Sequence, residues 1–270
     1  MLKLLPTPIG NLQDITLRTL EELKRAEVIF CEDSRITKRL LYLLAERLST
    51  DFGEKRFISL HSHNEQKVIE GLEPSLFEQN CVYVSDAGTP CISDPGSFLV
   101  EFCQKNSIKY EVLPGASAVT TVYAASGCQS AQFSFFGFLP HKKINRVETI
   151  KQLLSSQFPV IFYESPHRLL ECLADFASLC PDRRLFLAKE LTKMHEAFFD
   201  GDAKTLYERF KNEKILGEWA CVVWPSEEKS TTLQLSIDEI KALELPKKEK
   251  AKLICKITGE NPKTVYETLI

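Results

Sequence analysis

The 270-residue chain contains no Cys-x-x-Cys pair, no Gly-x-Gly-x-x-Gly run and no P-loop. The first absence argues against a thiol-redox motif or a zinc ribbon, and the other two against a dinucleotide or a nucleoside triphosphate. No charge sign dominates: the net charge is −3, so overall charge does not advertise a nucleic-acid binder, although a local basic patch suffices for contact. No apolar run approaches the length of a membrane helix. The opening stretch MLKLLPTPIGN, interrupted by Pro6, Pro8 and Gly10, does not read as a signal peptide. Long disordered linkers and short-period repeats are also missing. What is present is an ordinary globular balance, 44% hydrophobic and 26% charged, enough for one large or two moderate domains. The nine cysteines are odd in number and lack framework spacing, which suggests reduced thiols in a cytoplasmic protein. Cys31, Cys81 and Cys221 sit in apolar runs, where cysteine acts as a small hydrophobe. His61 and His63 have no nearby cysteine or carboxylate pair, so no metal site is expected.

Hydrophobic periodicity gives the organisation. Short apolar runs at 2–5, 28–31, 57–60, 81–84 and 110–113 read as buried strands. Helical spacing appears between them, as in Leu17, Leu20, Leu23 and Ala26, then in Leu40, Leu41 and Leu44. This alternation predicts a mainly parallel sheet with helices on its faces. After Leu113-Pro114-Gly115-Ala116-Ser117 the pattern changes, and strands near 133–138, 159–163, 184–188, 197–199 and 219–224 suggest a second α/β domain with a mixed sheet. The expected division is an N-terminal α/β domain over 1–114, a second over 115–227, and a small helical tail over 228–270. Polar Ser226–Thr232 marks the end of the second domain, and three tail helices are expected at about 237–244, 246–257 and 261–269.

Three loops rich in Pro and Gly follow strands: 6–11, 85–90 and 114–118. Glycine permits close backbone approach to a ligand and proline fixes loop shape. One such loop is an ordinary tight turn; three around one sheet suggest a small-ligand cleft. Asp86, beside exposed amides, suits a ligand carrying both an ammonium and a carboxylate. Three other strands run into charge: Glu32-Asp33-Ser34-Arg35, Glu164-Ser165-Pro166-His167-Arg168 and Lys189-Glu190. Asp33 or Ser34 also serves as a plain helix cap. Within Ser93-Asp94-Pro95-Gly96, Asp94 reads as a helix cap with Pro95 at the first helical position.

In order and spacing, TPIGNLQDITLR (7–18), EDSR (32–35), HSHNE (61–65), VSDAGTPCISDPG (84–96), LPGASA (113–118), FFGFLP (135–140), FYESPHR (162–168) and AKELTK (188–193) form one set. It resembles the small-subunit ribosomal RNA (cytidine-2′-O)-methyltransferases, a branch of the tetrapyrrole-methylase superfamily. The resemblance runs from about Leu4 to Trp224, and the tail is similar to the helix-turn-helix-like end of many members. Two departures are Ser34, where the family usually has Thr, and Gly115–Ala118, where a Gly-Pro-Ser-Ala-like run is usual. The resemblance implies two α/β domains with S-adenosylmethionine bent in the cleft between them, and a homodimer. It implies cofactor contacts from Pro8, Ile9, Gly10, Ser85, Asp86, Ala87, Gly88, Thr89, Ser117, Ala118, Tyr163 and Ala188.

The implied reaction is in-line methyl transfer to a ribose 2′-oxygen of 16S rRNA, with assembled small ribosomal subunits as substrate and a cytidine in the decoding region as target. A catalytic set of Asp33, Arg35, Lys189 and Glu190 is expected, with Asp33 or Glu190 helping to remove the proton and Arg35, Lys189 and Arg168 binding phosphates. Glu32 and Glu164 face the substrate, and the four carboxylates are not ranked by sequence. His141, Lys142, Lys143 and Arg146 form one basic cluster for the RNA backbone. A second lies in 247–263, where six lysines face two glutamates, a local balance of +4. Each cluster reads equally as a solvated face. Two rival functions are a methylase of a tetrapyrrole or other small molecule, and a non-catalytic RNA-binding ribosome-assembly factor.

Overall fold

The computed structural model describes residues 1–226 and 236–269. Residues Met1–Ser226 form one compact unit and the tail another.

The first unit opens with β1 (Leu2–Leu5), α1 (Leu17–Arg25), β2 (Val28–Cys31), α2 (Ser34–Leu48), β3 (Arg56–Ser59), α3 (Glu65–Glu70), β4 (Cys81–Val84), α4 (Ser97–Lys105) and β5 (Tyr110–Val112). The strands pair in the order β3-β2-β4-β1-β5, and every pairing is parallel. A parallel sheet is covered on both faces, which is why its inner strands are unbroken apolar runs. VIFC and CVYV are of this kind and are buried throughout; LKLL is interrupted by Lys3, whose ammonium pairs with Glu22. One face packs Leu5, Ile29, Val82 and Val84 under Leu23, Leu41 and Leu44 of the first two helices. The other packs Leu4, Phe30 and Tyr83 against Leu99 and Cys103 of α4. Parallel pairing sends the loops after β1, β2 and β4 to one rim, where such sheets bind ligands.

The chain then forms α5 (Ala118–Ser126), β6 (Ser134–Phe138), α6 (Lys143–Leu154), β7 (Val160–Glu164), α7 (Pro166–Leu179), β8 (Arg184–Lys189), β9 (Ala197–Asp202), α8 (Ala203–Phe210) and β10 (Trp219–Val223). The second sheet runs β6-β7-β10-β8-β9; β6 and β7 are parallel and the other pairings antiparallel, a mixed sheet as the sequence predicts. Its core of Phe162, Leu169, Phe176, Leu187 and Trp219 is buried under α7 and α8.

The tail unit has α9 (Ile237–Ala242), α10 (Lys247–Thr258) and α11 (Pro262–Thr268), close to the three expected helices. Ser236 and Glu239 form a reciprocal capping box, and Ile240, Ala251, Ile254 and Val265 make its small core. The expected boundary at 227/228, with most of the polar stretch that marks it, lies outside the described residues. Among the described residues no helix is long and apolar enough to cross a membrane.

Two expectations are corrected here. Arg146 is not part of an exposed basic cluster. It is 1% exposed, and its Nε donates to Asp175 Oδ2 at 2.7 Å while an Nη2 bond reaches Glu171 at 3.1 Å. Asp94 does not cap a helix. The α4 helix begins at Ser97, its N-cap is Gly96, and no side chain closes that cap. Left-handed φ values at Ser93 (65°) and Gly96 (117°) hold 91–96 as a loop instead.

Candidate active site

The three Pro- and Gly-rich loops are knotted together by backbone. Thr7 and Gly88 exchange N–H···O bonds of 2.9 and 3.0 Å. Ser85 Oγ donates to Gly88 O at 3.1 Å, Thr7 Oγ1 donates to Ser85 O at 3.2 Å, and Thr89 Oγ1 donates to Ala116 O at 2.9 Å. Gly88 sits at φ +86°, where a side chain is strained, and a Cβ there would meet Ile9 Cγ2 at 3.2 Å. The first loop also docks on the second sheet, through Asn11 N–H to Thr192 Oγ1 at 3.1 Å. Gly10 lies so close to Leu191–Lys193 that a Cβ would come within 2.7 Å of the Leu191 carbonyl oxygen.

These ties leave a cavity of about 420 Å³ lined by the strand ends of both sheets. Ile9, Asp86, Ala87, Gly88, Thr89, Ser117, Ala118, Tyr163 and Ala188 line it. Pro8, Gly10 and Ser85 lie outside the lining; Ser85 is buried and shapes the loop. Sequence reasoning did not assign Ile92, Ser93, Asp94, Phe138, Leu191 or Trp219, which also line it. Tyr163 is wedged against Phe135 and Phe138, with ring centroids 5.0 and 5.5 Å away, and burial pushes its hydroxyl up to about 12.

The charged residues divide sharply. Asp33 is the N-cap of α2: it accepts from Arg35 N at 2.8 Å and holds the Arg35 guanidinium at 2.5 Å. That clamp lowers its carboxyl to about 2. Neither residue lines the cavity, and the Arg35 side chain is exposed. Glu190, at φ 52°, accepts from Glu218 N at 2.8 Å and Lys193 Nζ at 3.1 Å. Burial raises its carboxyl, but these donors outweigh burial and the net direction is down. Glu190 thus ties the loop after β8 to the start of β10, and Lys189 stands half-buried beside it; neither lines the cavity. Lys142 and Lys143 are exposed at the start of α6. Among the described residues no group of three metal-ligating side chains occurs.

Glu164 borders the cavity, but its side chain is 0% exposed and its carboxylate is turned away from the open space. Its Oε1 accepts from Arg168 Nε at 2.7 Å and from Ser165 N at 2.8 Å. Glu164 Oε2 and Arg168 Nη1 are buried without a hydrogen-bond partner among the described residues. An orphaned buried polar atom costs about 1–3 kcal/mol, and such atoms mark places where a ligand or water is due. At the first sheet's rim, burial raises the carboxyls of Glu32, Asp86 and Asp94, and nearby carboxylates add to it: Asp86 and Asp33 at Glu32, Asp33 at Asp86, and Glu32 and Asp86 at Asp94. Asp94 is pushed up to about 7.

The cavity thus sits at strand ends of two α/β sheets. A family model described as Tetrapyrrole (Corrin/Porphyrin) Methylases matches residues 1–207, and the chain belongs to this family. Within it, the chain is similar to proteins named ribosomal RNA small subunit methyltransferase I. The one from Campylobacter fetus subsp. fetus is 46% identical, with both chains covered in full. That from Helicobacter pylori (strain J99) is 45% identical over 98% of this chain and 96% of its own. The Escherichia coli O157:H7 protein is 38% identical over 98% and 93%. Among solved structures, uroporphyrin III C-methyltransferase from Thermus thermophilus shares the fold with a TM-score of 0.55 and 12% identity, over 82% of this chain and 96% of that one.

Proposed function

We propose that this protein transfers a methyl group from S-adenosylmethionine to the ribose 2′-oxygen of a cytidine in the decoding region of 16S rRNA, acting on the small ribosomal subunit. The observation that carries the reading is the cavity. Its volume, about 420 Å³, lies in the range of small-ligand sites. Apolar walls from Ile9, Ala118, Ala188 and Leu191 suit an adenosine, and the carboxylate of Asp86 suits the cationic end of the donor. The first-turn amides of α5 open at Ser117, whose side chain makes no cap bond, and such amides favour a carboxylate. The residues present therefore fit S-adenosylmethionine, which supplies an already activated methyl group when bound. What remains for the protein is positioning and removal of one proton. The branch motifs and the near-full-length relatives named as rRNA methyltransferases support an rRNA acceptor over a tetrapyrrole. We further read the two sheets as two domains with the cleft between them, and the protein as a cytoplasmic homodimer.

Purified protein, methyl-labelled donor and small subunits from cells lacking the enzyme test this directly. Labelled 2′-O-methylcytidine in the digested RNA is the expected product. Donor binding without RNA labelling would redirect the reading to a small-molecule acceptor. Absence of donor binding would favour an assembly factor.

The RNA backbone is met at the start of α6. Lys142 and Lys143 add to the positive end of that helix, an arrangement unfavourable for the helix alone and favourable beside a phosphate. Lys142→Gln with Lys143→Gln is expected to weaken subunit binding and to flatten its log–log salt dependence by about one unit per lost phosphate contact. Binding measured between low and moderate salt decides; an unchanged slope counts against these contacts.

A further inference from the structure

Asp94 is an acidic residue of the cavity lining that the donor's recognition does not use. Asp94 lies in the loop between β4 and α4 and lines the cavity opposite Tyr163 of β7. This loop is braced from below. Tyr83 Oη donates to Pro95 O at 2.6 Å, and Gly96 N–H donates to the buried Glu65 Oε1 at 2.7 Å. The Tyr83 ring fills the space under Gly96, where a Cβ would come within 2.4 Å of Cε1. Left-handed backbone at Cys91, Ser93 and Gly96 gives the segment a single path. These contacts hold the backbone directly after Asp94.

Most of the neighbouring carboxylates are already engaged. Asp33 is closed on its own Arg35, Glu190 on Lys193 and Glu218 N, and Glu164 Oε1 on Arg168. Asp86 accepts from Asp33 N at 3.1 Å. The Asp94 carboxyl has no hydrogen bond or salt bridge among the described residues; Glu32 has none either, but it does not line the cavity.

We infer that Asp94 is a catalytic residue of the methyl transfer, the group that takes the proton from the acceptor hydroxyl. This rests on the reading of the protein as a 2′-O-methyltransferase. In the step, the hydroxyl O–H bond breaks and its proton passes to the Asp94 carboxylate. The oxygen's electron pair forms the new O–C bond, while the pair of the broken C–S bond stays on sulfur. The groups facing Asp94 are Glu32 at the end of β2, Asp86 after β4, Tyr83 of β4, Tyr163 of β7 and Cys91 of its own loop. The acids among them favour proton uptake, and burial acts the same way, holding the carboxyl near neutrality where a base works best.

The test is Asp94→Asn in the full chain with small subunits, alongside calorimetry with S-adenosylmethionine. Single-turnover methylation is expected to fall by about 10²–10⁴-fold, the usual contribution of a positioned base. Donor affinity is expected to stay within about threefold, because the loss falls on the transition state and not on binding. The wild-type rate should rise through pH of about 7 and level off, and the variant's profile should be flat. Carboxyl-labelled NMR of the free protein should show one aspartate titrating near neutrality that the variant lacks. If the amide variant does not fold, Asp94→Glu serves: the midpoint of the pH limb must move with the new carboxyl. Retained turnover, a pH limb that survives in Asp94→Asn, an unmoved midpoint in Asp94→Glu, or parallel loss of donor binding would each overturn the assignment. Wild-type protein that binds donor but labels no cytidine fails the function reading itself, a separate outcome.

Discussion

Arg146→Ala is expected to lower the stability of the Met1–Ser226 unit by about 3–5 kcal/mol, the usual cost of stranding a buried charge. The guanidinium sits between α6 and α7 with its side chain 2% exposed, facing an Asp175 side chain that is 7% exposed. Glu171, the second partner, is 68% exposed on its side chain and adds little. Removing the arginine leaves the Asp175 carboxyl in a dry place without its partner. Removing both, as Arg146→Met with Asp175→Leu, takes away the orphan with the charge, and most of the loss should return. Urea unfolding followed by tryptophan fluorescence reads both variants, since Trp219 lies in the same core. A loss below about 1 kcal/mol for the single variant would mean that solvent reaches the pair. Subunit binding should keep its salt slope in the double variant, which separates Arg146 from the exposed Lys142 and Lys143.

Asp94→Asn carries a second consequence, in stability. In the folded protein the carboxyl is held at about 7, against roughly 3.9 for an unfolded aspartate. Between those two values the native state keeps a proton that the unfolded state has lost. Stability therefore falls as pH rises through that window, and the loss is complete above the folded value. Glu32 and Asp86, shifted in the same direction, add to the slope. The amide cannot ionise, so the variant is expected to match wild type near pH 4 and to exceed it at pH 8 by about 1–3 kcal/mol, after allowing for solvent at the cavity mouth. Denaturation midpoints at the two pH values test this. Equal gains at both would point to packing instead of charge. A site that weakens the fold where it is most active is a known trade between stability and function.

The fold was legible where burial leaves a period. VIFC and CVYV are strands because both faces are covered, and the sequence pattern registers that directly. Helix α5 went unplaced because AVTTVYAAS mixes β-branched residues with alanine and has no acidic first turn. Its helical state comes from packing Val119 and Val122 on the second sheet. Arg146 was misread through its neighbours, although a signal existed. Arg146, Ile150 and Leu153 fall at i, i+4 and i+7, one buried stripe whose first place is an arginine. Residue type suggested a phosphate contact; position along the helix pointed inward. The candidate site was legible as loops, not as roles. Glycine and proline announce where the backbone approaches a ligand, but whether Asp33 or Asp94 is free to move a proton depends on partners distant in sequence. Asp94 was hidden by its context, since Ser-Asp-Pro-Gly reads equally as a cap or as a braced turn.

The parallel first sheet has a consequence for how such a protein diversifies. Its strands all leave the core on one rim, so the loops after β1, β2 and β4 change length or residue without disturbing LKLL, VIFC or CVYV. The opposite rim, where each strand begins, carries no part of the cavity lining. Innovation and heritage are thus kept on different sides of the same sheet. New acceptors are reached by rewriting one edge of the scaffold, while the other edge keeps the architecture that a distant C-methyltransferase shares at 12% identity.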